Sequence, residues 1–315
     1  MMKYLCVIGF SSFTNKLGRD TIQSEIIIGI DMQQTFRLVI DCPDQLGLVA
    51  NVSQFLAEHK ATIVEANHHT DLQTGRFFMR HEIRADSVNM SIEKMNLAFA
   101  PIAEKFAMNW KLSDSLQKQK VVMLASHESH CLMDILHRWH SGELYCDIPC
   151  IIANHPQMKQ FADWHNIPFH WVDFKNQSKQ QAFAEVERLI DAYDADLTVL
   201  ARFMQIIPDH LCKKLAGKAI NIHHSFLPSF AGAKPYQQAY DRGVKLIGAT
   251  CHYVTSDLDE GPIIEQEVMR ISHSDSSLDM VRKGKNCEKI ALANGIRYHL
   301  EDRVIIHKHK TVVFA

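Results

Sequence analysis

The chain has 315 residues, 46% of them hydrophobic and 22% charged, with a formal net charge of -2. That length suits two domains, and the apolar share is enough to build their cores. The near-neutral balance provides no basic field to hold nucleic acid or an anionic membrane, so neither is expected as a partner.

The opening stretch, MMKYLCVIGFSSF, has one lysine and only a short apolar run. It lacks the longer apolar region of a signal peptide, and no later run reaches the roughly 18 residues of a membrane span. A cytoplasmic location is expected. Residues 1–32 fit poorly with the strand pattern that begins at Thr35 and read as an N-terminal extension or a mispredicted start. The eight cysteines are scattered and include no C-x-x-C pair; Cys146 and Cys150, four apart, have no second pair to complete a zinc set. Reduced core thiols are expected.

From Thr35, Phe36, Leu38 and Ile40 alternate with Arg37, Val39 and Asp41, a strand pattern. DCPDQLGLVA reads as a turn punctuated by Pro43 and Gly47. Leu48, Val52, Phe55 and Leu56 then share one helical face. ATIVEANHHT and GRFFMRHEIR read as two more strands, with His68 and His69 at an exposed strand end. Ile92, Met95, Phe99, Ile102 and Phe106 recur at spacings of three and four and mark a second helix, and a short strand near Trp110 closes the unit. The order β-α-β-β-α-β over 33–115 is the ferredoxin-like split.

The polar run from about Ser113 to Lys120 reads as the linker. Over 119–315 the pattern becomes alternating strands and helices. VVMLAS, IPCIIA, PFHWV, LTVLA and AINIH are short apolar runs, as expected of strands covered on both faces. The whole is an α/β chain whose second domain is a Rossmann-like, mostly parallel sheet. A last long helix spans roughly Ser277 to Asp302, and VIIH and TVVF form a terminal hairpin. In such sheets the site lies beyond the carboxyl ends of the strands, which directs attention to the residues after LTVLA and AINIH.

Two segments there carry chemistry. In NIHHSFLPSF, Asn221 and His223 are two apart on a strand end and point to one side. In GATCHYVTSDLDEGPII, a strand bearing His252 and Val254 leads into a loop crowded with Asp257, Asp259 and Glu260 and closed by Gly261 and Pro262. Taken bare, an Asn-x-His is more often structural than catalytic, and a loop Asp is usually a solvated turn residue.

The wording of both segments together resembles the formyltransferase-fold family, whose matching Asn, His and Asp act on the formyl group of 10-formyltetrahydrofolate. DCPDQLGLVA, SHESHCL, LARFMQI, FAGAKPYQQAYDRGVKLIGATCHYV, LDEGPII and HLEDR…KTVVF look like the branch that gives the formyl group to water. That resemblance runs from about Phe36 to Phe314 and includes a front domain of the ACT type. It implies hydrolysis of 10-formyltetrahydrofolate to formate and tetrahydrofolate, supplying formate for purine synthesis and balancing the one-carbon folate pool. Asn221, His223 and Asp259 would be catalytic. Phe203, Met204 and Gln205, with His252, Thr255 and Asp257, would hold the folate. No cofactor or metal is implied beyond the folate substrate itself. The ACT resemblance implies a glycine or methionine effector at Asp44, Gln45, Leu46, Gly47 and Leu48, and a homo-oligomer.

The acceptor is read from the turn after the first strand of the second domain. Transferases with a phosphorylated acceptor place glycines there, whose amides cradle phosphate. Here it reads Ser126, His127, Glu128, Ser129, His130, with no glycine and an added carboxylate. That disfavours a phosphorylated acceptor, and the near-neutral chain disfavours tRNA. The turn then either caps the following helix or narrows the acceptor side to water. HESH lacks a further ligand at helical spacing, so no metal is expected. The competing readings are transfer to an unrecognised amine, and a sensing protein that has lost catalysis.

Overall fold

The structure, a computed structural model, describes residues 33–229 and 235–315. The extension expected over 1–32, and the FAGAK stretch of the quoted motif, lie outside the described residues. The first unit of structure contains β1 (Thr35–Pro43), α1 (Leu48–Glu58), β2 (Ile63–Asp71), β3 (Arg76–Arg84), α2 (Ile92–Lys105) and β4 (Asn109–Asp114). The strands form an antiparallel sheet in the order β2-β3-β1-β4. This is the ferredoxin-like arrangement that the alternation of periods two and three-to-four implies. The inward residues of β1, Phe36, Leu38 and Ile40, pack with Leu48, Val52, Phe55 and Leu56 of α1 and with Met95 and Phe99 of α2. Each such buried side chain contributes on the order of 2 kcal/mol.

The polar run read as linker is shorter than its composition suggests. β4 extends to Asp114, paired with Phe36, and only 115–118 separate it from the next strand. Ser113 is a strand residue paired with Arg37, and it and Lys111 bond the Asp302 carboxylate, each at 2.6 Å.

The second unit runs β5 (Gln119–Ala125), α3 (His130–His140), β6 (Cys146–Asp147), β7 (Ile151–Ala153), α4 (Lys159–Trp164), β8 (Phe169–Trp171), α5 (Lys179–Ala192), β9 (Leu197–Ala201), α6 (Asp209–Lys214), β10 (Ala219–His223), α7 (Pro235–Arg242), β11 (Leu246–Tyr253), β12 (Ile263–Arg270) and α8 (Ser277–Leu300), then the hairpin β13 (Val304–His307) and β14 (Lys310–Val313). The sheet order is β12-β11-β10-β9-β5-β7-β8, with β6 beside β5. The strands from β8 across to β10 in this order are parallel, and β11 and β12 are antiparallel. Met123 and Ala125 of β5 face α3 and α8, while Val122 and Leu124 face α5. Burial on both sides is why these strands read as unbroken apolar runs. The chain leaves β5 toward β7 on one side and returns to β9 on the other, a topological switch that opens a crevice at the strand ends.

The polar face of the front sheet grips the end of α8. Arg80, fully buried, bonds Glu65 at 2.8 Å, Glu82 at 2.7 Å and the Glu301 carbonyl at 3.0 Å. Arg37 donates to the Leu300 carbonyl at 3.0 Å. Helix-terminal carbonyls lack intrahelical partners and sit at the negative end of the helix dipole, so guanidinium donors satisfy both needs. The seven described cysteines are buried and free. No described helix is long and apolar enough to cross a membrane.

Candidate active site

A cavity of about 400 Å³ opens at the ends of β9, β10 and β11. Asn221, His223 and Asp259 line it, as do Phe203, Met204, Gln205, His252, Thr255 and Asp257. The sheet register brings these residues together: Asn221 faces His252 directly across the antiparallel pair of β10 and β11. The loop after β11 then returns Asp259 over the strand end.

The side chains form a directed chain of hydrogen bonds. His252 Nδ1 lies 2.9 Å from the Tyr253 carbonyl, which only an N–H can satisfy, so Nε2 carries the lone pair. Asn221 Nδ2 donates to that Nε2 at 3.1 Å, which fixes the amide's orientation and leaves its second N–H without a partner among the described residues. His252 is held below its ordinary range, chiefly by burial, which agrees with a neutral ring. His223 Nδ1 lies 3.2 Å from Asp259 Oδ2, and His223 Nε2 is buried with no hydrogen-bond partner among the described residues. Burial pushes the Asp259 carboxyl up, but the His223 hydrogen bond and the surrounding imidazoles outweigh it and hold the group below its usual value.

Backbone geometry supports this placement. Asp259 has φ +59°, a left-handed conformation uncommon for a non-glycine residue. Gly261 packs against the Tyr253 carbonyl so closely that a Cβ there would lie 1.7 Å from that oxygen. In the loop after β9, Arg202 and Met204 are also left-handed, at φ +63° and +57°. Such residues cost about 1–3 kcal/mol each and tend to cluster at ligand sites. Thr250 secures the turn after His223: its hydroxyl donates to the Ser225 carbonyl at 2.9 Å and accepts from Leu227 N–H at 3.0 Å.

The formyl transferase family matches residues 119–296. A formyltetrahydrofolate deformylase from Corynebacterium sp. (strain P-1) is 45% identical over 88% of this chain and 96% of its own length. One from Bacillus subtilis (strain 168) is 44% identical over 88% and 93% respectively. The crystal structure of a formyltetrahydrofolate deformylase from Pseudomonas syringae pv. tomato superposes with a TM-score of 0.88 at 58% identity, covering 91% of this chain and 96% of that one. The chain belongs to the formyltetrahydrofolate deformylase family.

Within this family fold, the turn after β5 sits apart from the cavity lining. Ser126 is buried, with Oγ 3.4 Å from His155 Nδ1, and His127 is largely exposed. Glu128 is not the unopposed carboxylate that the sequence suggests: Lys285 of α8 bonds it at 2.5 Å and draws its pKa down. His130 turns inward, its Nε2 2.7 Å from Glu288 of α8, and Glu288 lies 3.4 Å from Arg202, which does line the cavity. The turn thus reaches the site through α8.

Sequence patterns alone do not single out Arg202, His224, Tyr236, Lys285 or Glu288. Arg202 stands within the LARFMQI motif and His224 beside His223, but Glu288 sits mid-helix with no local sign of burial. His130, Cys131 and Glu288 place three metal-binding atom types within 4.8 Å. Both Glu288 oxygens already accept hydrogen bonds, from Tyr236 and His130, and burial raises the Cys131 thiol pKa, so the group reads as a hydrogen-bonded cluster.

The expected effector residues lie on the turn before α1. Gly47 has φ +92°, Leu46 is fully exposed, and Leu48 packs into the front core. Gln45 is tied to the Phe106 carbonyl at 3.1 Å.

Proposed function

We propose that this chain hydrolyses 10-formyltetrahydrofolate to formate and tetrahydrofolate, with Asn221, His223 and Asp259 as the reacting set. The observation that carries this reading is that Asn221, His223 and Asp259 line one cavity, with His223 Nε2 lacking a hydrogen-bond partner among the described residues. Exposed Met204, Ile206 and Leu258 give the mouth an apolar surface suited to a pterin ring. Phe203 is 1% exposed and shapes the wall from behind.

In this mechanism the formyl oxygen accepts from Asn221, which stabilises the oxyanion as it forms. Asp259 accepts from His223 Nδ1–H and so leaves Nε2 basic. Nε2 takes a proton from the attacking water while the water oxygen bonds the formyl carbon. The same proton then passes to the folate nitrogen as the carbon–nitrogen bond breaks. Formate leaves as the anion and releases one proton to solvent. Turnover in ¹⁸O water tests this: one label per formate is expected, and unlabelled formate or none contradicts it.

We also propose two domains, residues 33–115 and 119–315, with the first an ACT-type regulatory domain. Its turn at Asp44 to Leu48 would take glycine or methionine, the carboxylate meeting free amides of the first turn of α1. Calorimetric titration of the whole chain with each amino acid checks this. The exposed edge strand β2, with Ile63 and Val64 open to solvent, supports a homo-oligomer. A cytoplasmic enzyme supplying formate to purine synthesis is the setting this reading implies.

A further inference from the structure

The cavity has a cation in its wall whose donors the reacting set does not use. Asp257 and Asp259 both line the cavity and repel an anion, and Arg202 is the one lysine or arginine among the described lining residues. Its guanidinium is a planar fork of N–H donors, none of which makes a hydrogen bond among the described residues. Its ion-pair partner is Glu288, 3.4 Å from Nε. Glu288 balances the charge but is already occupied: one oxygen accepts from Tyr236 Oη, and the other lies 2.7 Å from His130 Nε2. We propose that Arg202 receives the carboxylate that hydrolysis creates, its guanidinium binding the formate product and the negative charge that grows toward it. This rests on the hydrolytic reading above.

Three observations place the guanidinium for this task. Leu200 is in register with Asn221, so Arg202, two residues further on, leaves the end of β9 at the level of His223. It does so in a left-handed backbone conformation, φ +63°, which a non-glycine residue adopts at a cost. The His224 ring, 5.0 Å from the His223 ring, feels both groups: burial draws it down to about 4, Arg202 and then His223 push the same way, and Glu288 and Asp259 oppose them. Nε of Arg202 is buried without a hydrogen-bond partner, and the terminal nitrogens stay open on a residue that lines the cavity. Unmade donors at such a site are costly, and an anionic oxygen removes that cost.

Hydrolysis supplies that oxygen. Attack by water leaves the formyl carbon with two oxygens, the former carbonyl on Asn221 and a hydroxyl from water. When the bond to the folate nitrogen breaks, the carbonyl reforms and the nitrogen takes the proton held by His223. The hydroxyl then loses its proton to solvent, and formate carries one negative charge over both oxygens. A guanidinium fork matches that shape. The glutamate tail of folate also ends in carboxylates, but burial separates the two sources. The Arg202 side chain is only 11% exposed, which suits a small anion formed beside His223. A long tail leaves through the mouth, where Met204, Ile206 and Leu258 are exposed.

The test is inhibition of turnover by added sodium formate at constant ionic strength. Tetrahydrofolate release is followed from 10-formyltetrahydrofolate, and tetrahydropteroate release from 10-formyltetrahydropteroate, which lacks the glutamate tail. Formate should inhibit the unchanged chain alike with both substrates. Arg202→Met should weaken that inhibition at least about tenfold with both, the loss expected of a charge-assisted hydrogen bond. It should also lower kcat with little change in KM, because the formyl group of the substrate is uncharged. If Arg202→Met does not fold, Arg202→Lys keeps a charge beside Glu288 but loses the planar fork, and should still weaken formate inhibition severalfold. Unaltered formate inhibition in the folded variant overturns the proposal, as does its absence in the unchanged chain. A rise in KM confined to the tailed substrate would assign Arg202 to the tail and overturns it too. All three outcomes leave hydrolysis intact, whereas no formate from the unchanged chain before any amine is added would count against the hydrolytic reading itself.

Discussion

His223 Nδ1 and Asp259 Oδ2 stand 3.2 Å apart, one on the end of β10 and the other on the loop after β11. The contact sets two states together. It holds the Asp259 carboxyl below its ordinary value despite partial burial, so the group is ionised near neutrality. It also places the N–H on Nδ1 and leaves the lone pair on Nε2.

Asp259→Asn keeps the shape of the side chain but removes the charge that orients the imidazole. Formate release should fall by about 10²–10⁴-fold, the usual worth of acid–base assistance. Circular dichroism should show the fold unchanged. Near-full activity in the folded variant would remove Asp259 from the mechanism.

Asn221→Ala removes the proposed oxyanion donor, whose orientation is fixed by His252 at 3.1 Å. The expected loss is about 10²–10³-fold in kcat. KM should change little, because the bond strengthens only as negative charge develops on the oxygen. Steady-state kinetics separate the two, and a loss confined to KM would assign Asn221 to ground-state binding.

Gly261→Ala forces a Cβ onto the Tyr253 carbonyl, where only 1.7 Å is available. The loop must move and carry Asp259 with it. A displacement near 1 Å at a reacting group can cost about 10²-fold, so kcat should fall on that scale. Thermal unfolding should drop only modestly, since the loop lies outside the sheet cores. Unchanged kcat would show that the loop relaxes without moving Asp259.

Sequence pattern and structure meet unevenly, for physical reasons. Alternation in TFRLVID marks a strand with one face on a core, and unbroken apolar runs mark strands covered on both faces, because burial imposes those patterns locally. Asn221 and His223 can be paired on paper because strand geometry alone puts i and i+2 on one side. Glu288 cannot, because its partners come from α3, α7 and the loop after β9, and nothing near residue 288 records them. Ser113 looks like linker because a charged strand face that grips a helix end has the composition of a solvated loop. Arg80 shows the same effect: it is fully buried, yet an arginine in a strand reads as exposed.

Arg80→Ala tests that grip. It would remove the guanidinium that Glu65 and Glu82 share, leaving Glu65 to Arg303 and Glu82 to Thr35 and Arg37, a change that costs roughly 1.5–3 kcal/mol. Urea unfolding should show a loss of that size. A loss under about 1 kcal/mol would place the pair among surface ion pairs of little consequence.

Buried imidazoles make stability depend on pH. Burial draws His81 and His299 down to about 4 from an ordinary 6.5. A depressed folded pKa means that the unfolded chain binds protons first. The stability from these neutral rings is therefore complete above about 6.5, falls as the pH drops toward 4, and levels off below it. Denaturation midpoints between pH 7 and 4 should decline across that window. His299→Gln should flatten the slope, and an unchanged slope would show that this ring does not contribute to it.

The most direct measurement mixes the purified chain with 10-formyltetrahydrofolate, adds no amine, and follows formate and tetrahydrofolate together. Both products should form in equal amounts, and at least about 10²-fold more slowly in Asn221→Ala and Asp259→Asn. Products that form only once an amine is supplied, or at an unchanged rate in both variants, would contradict this.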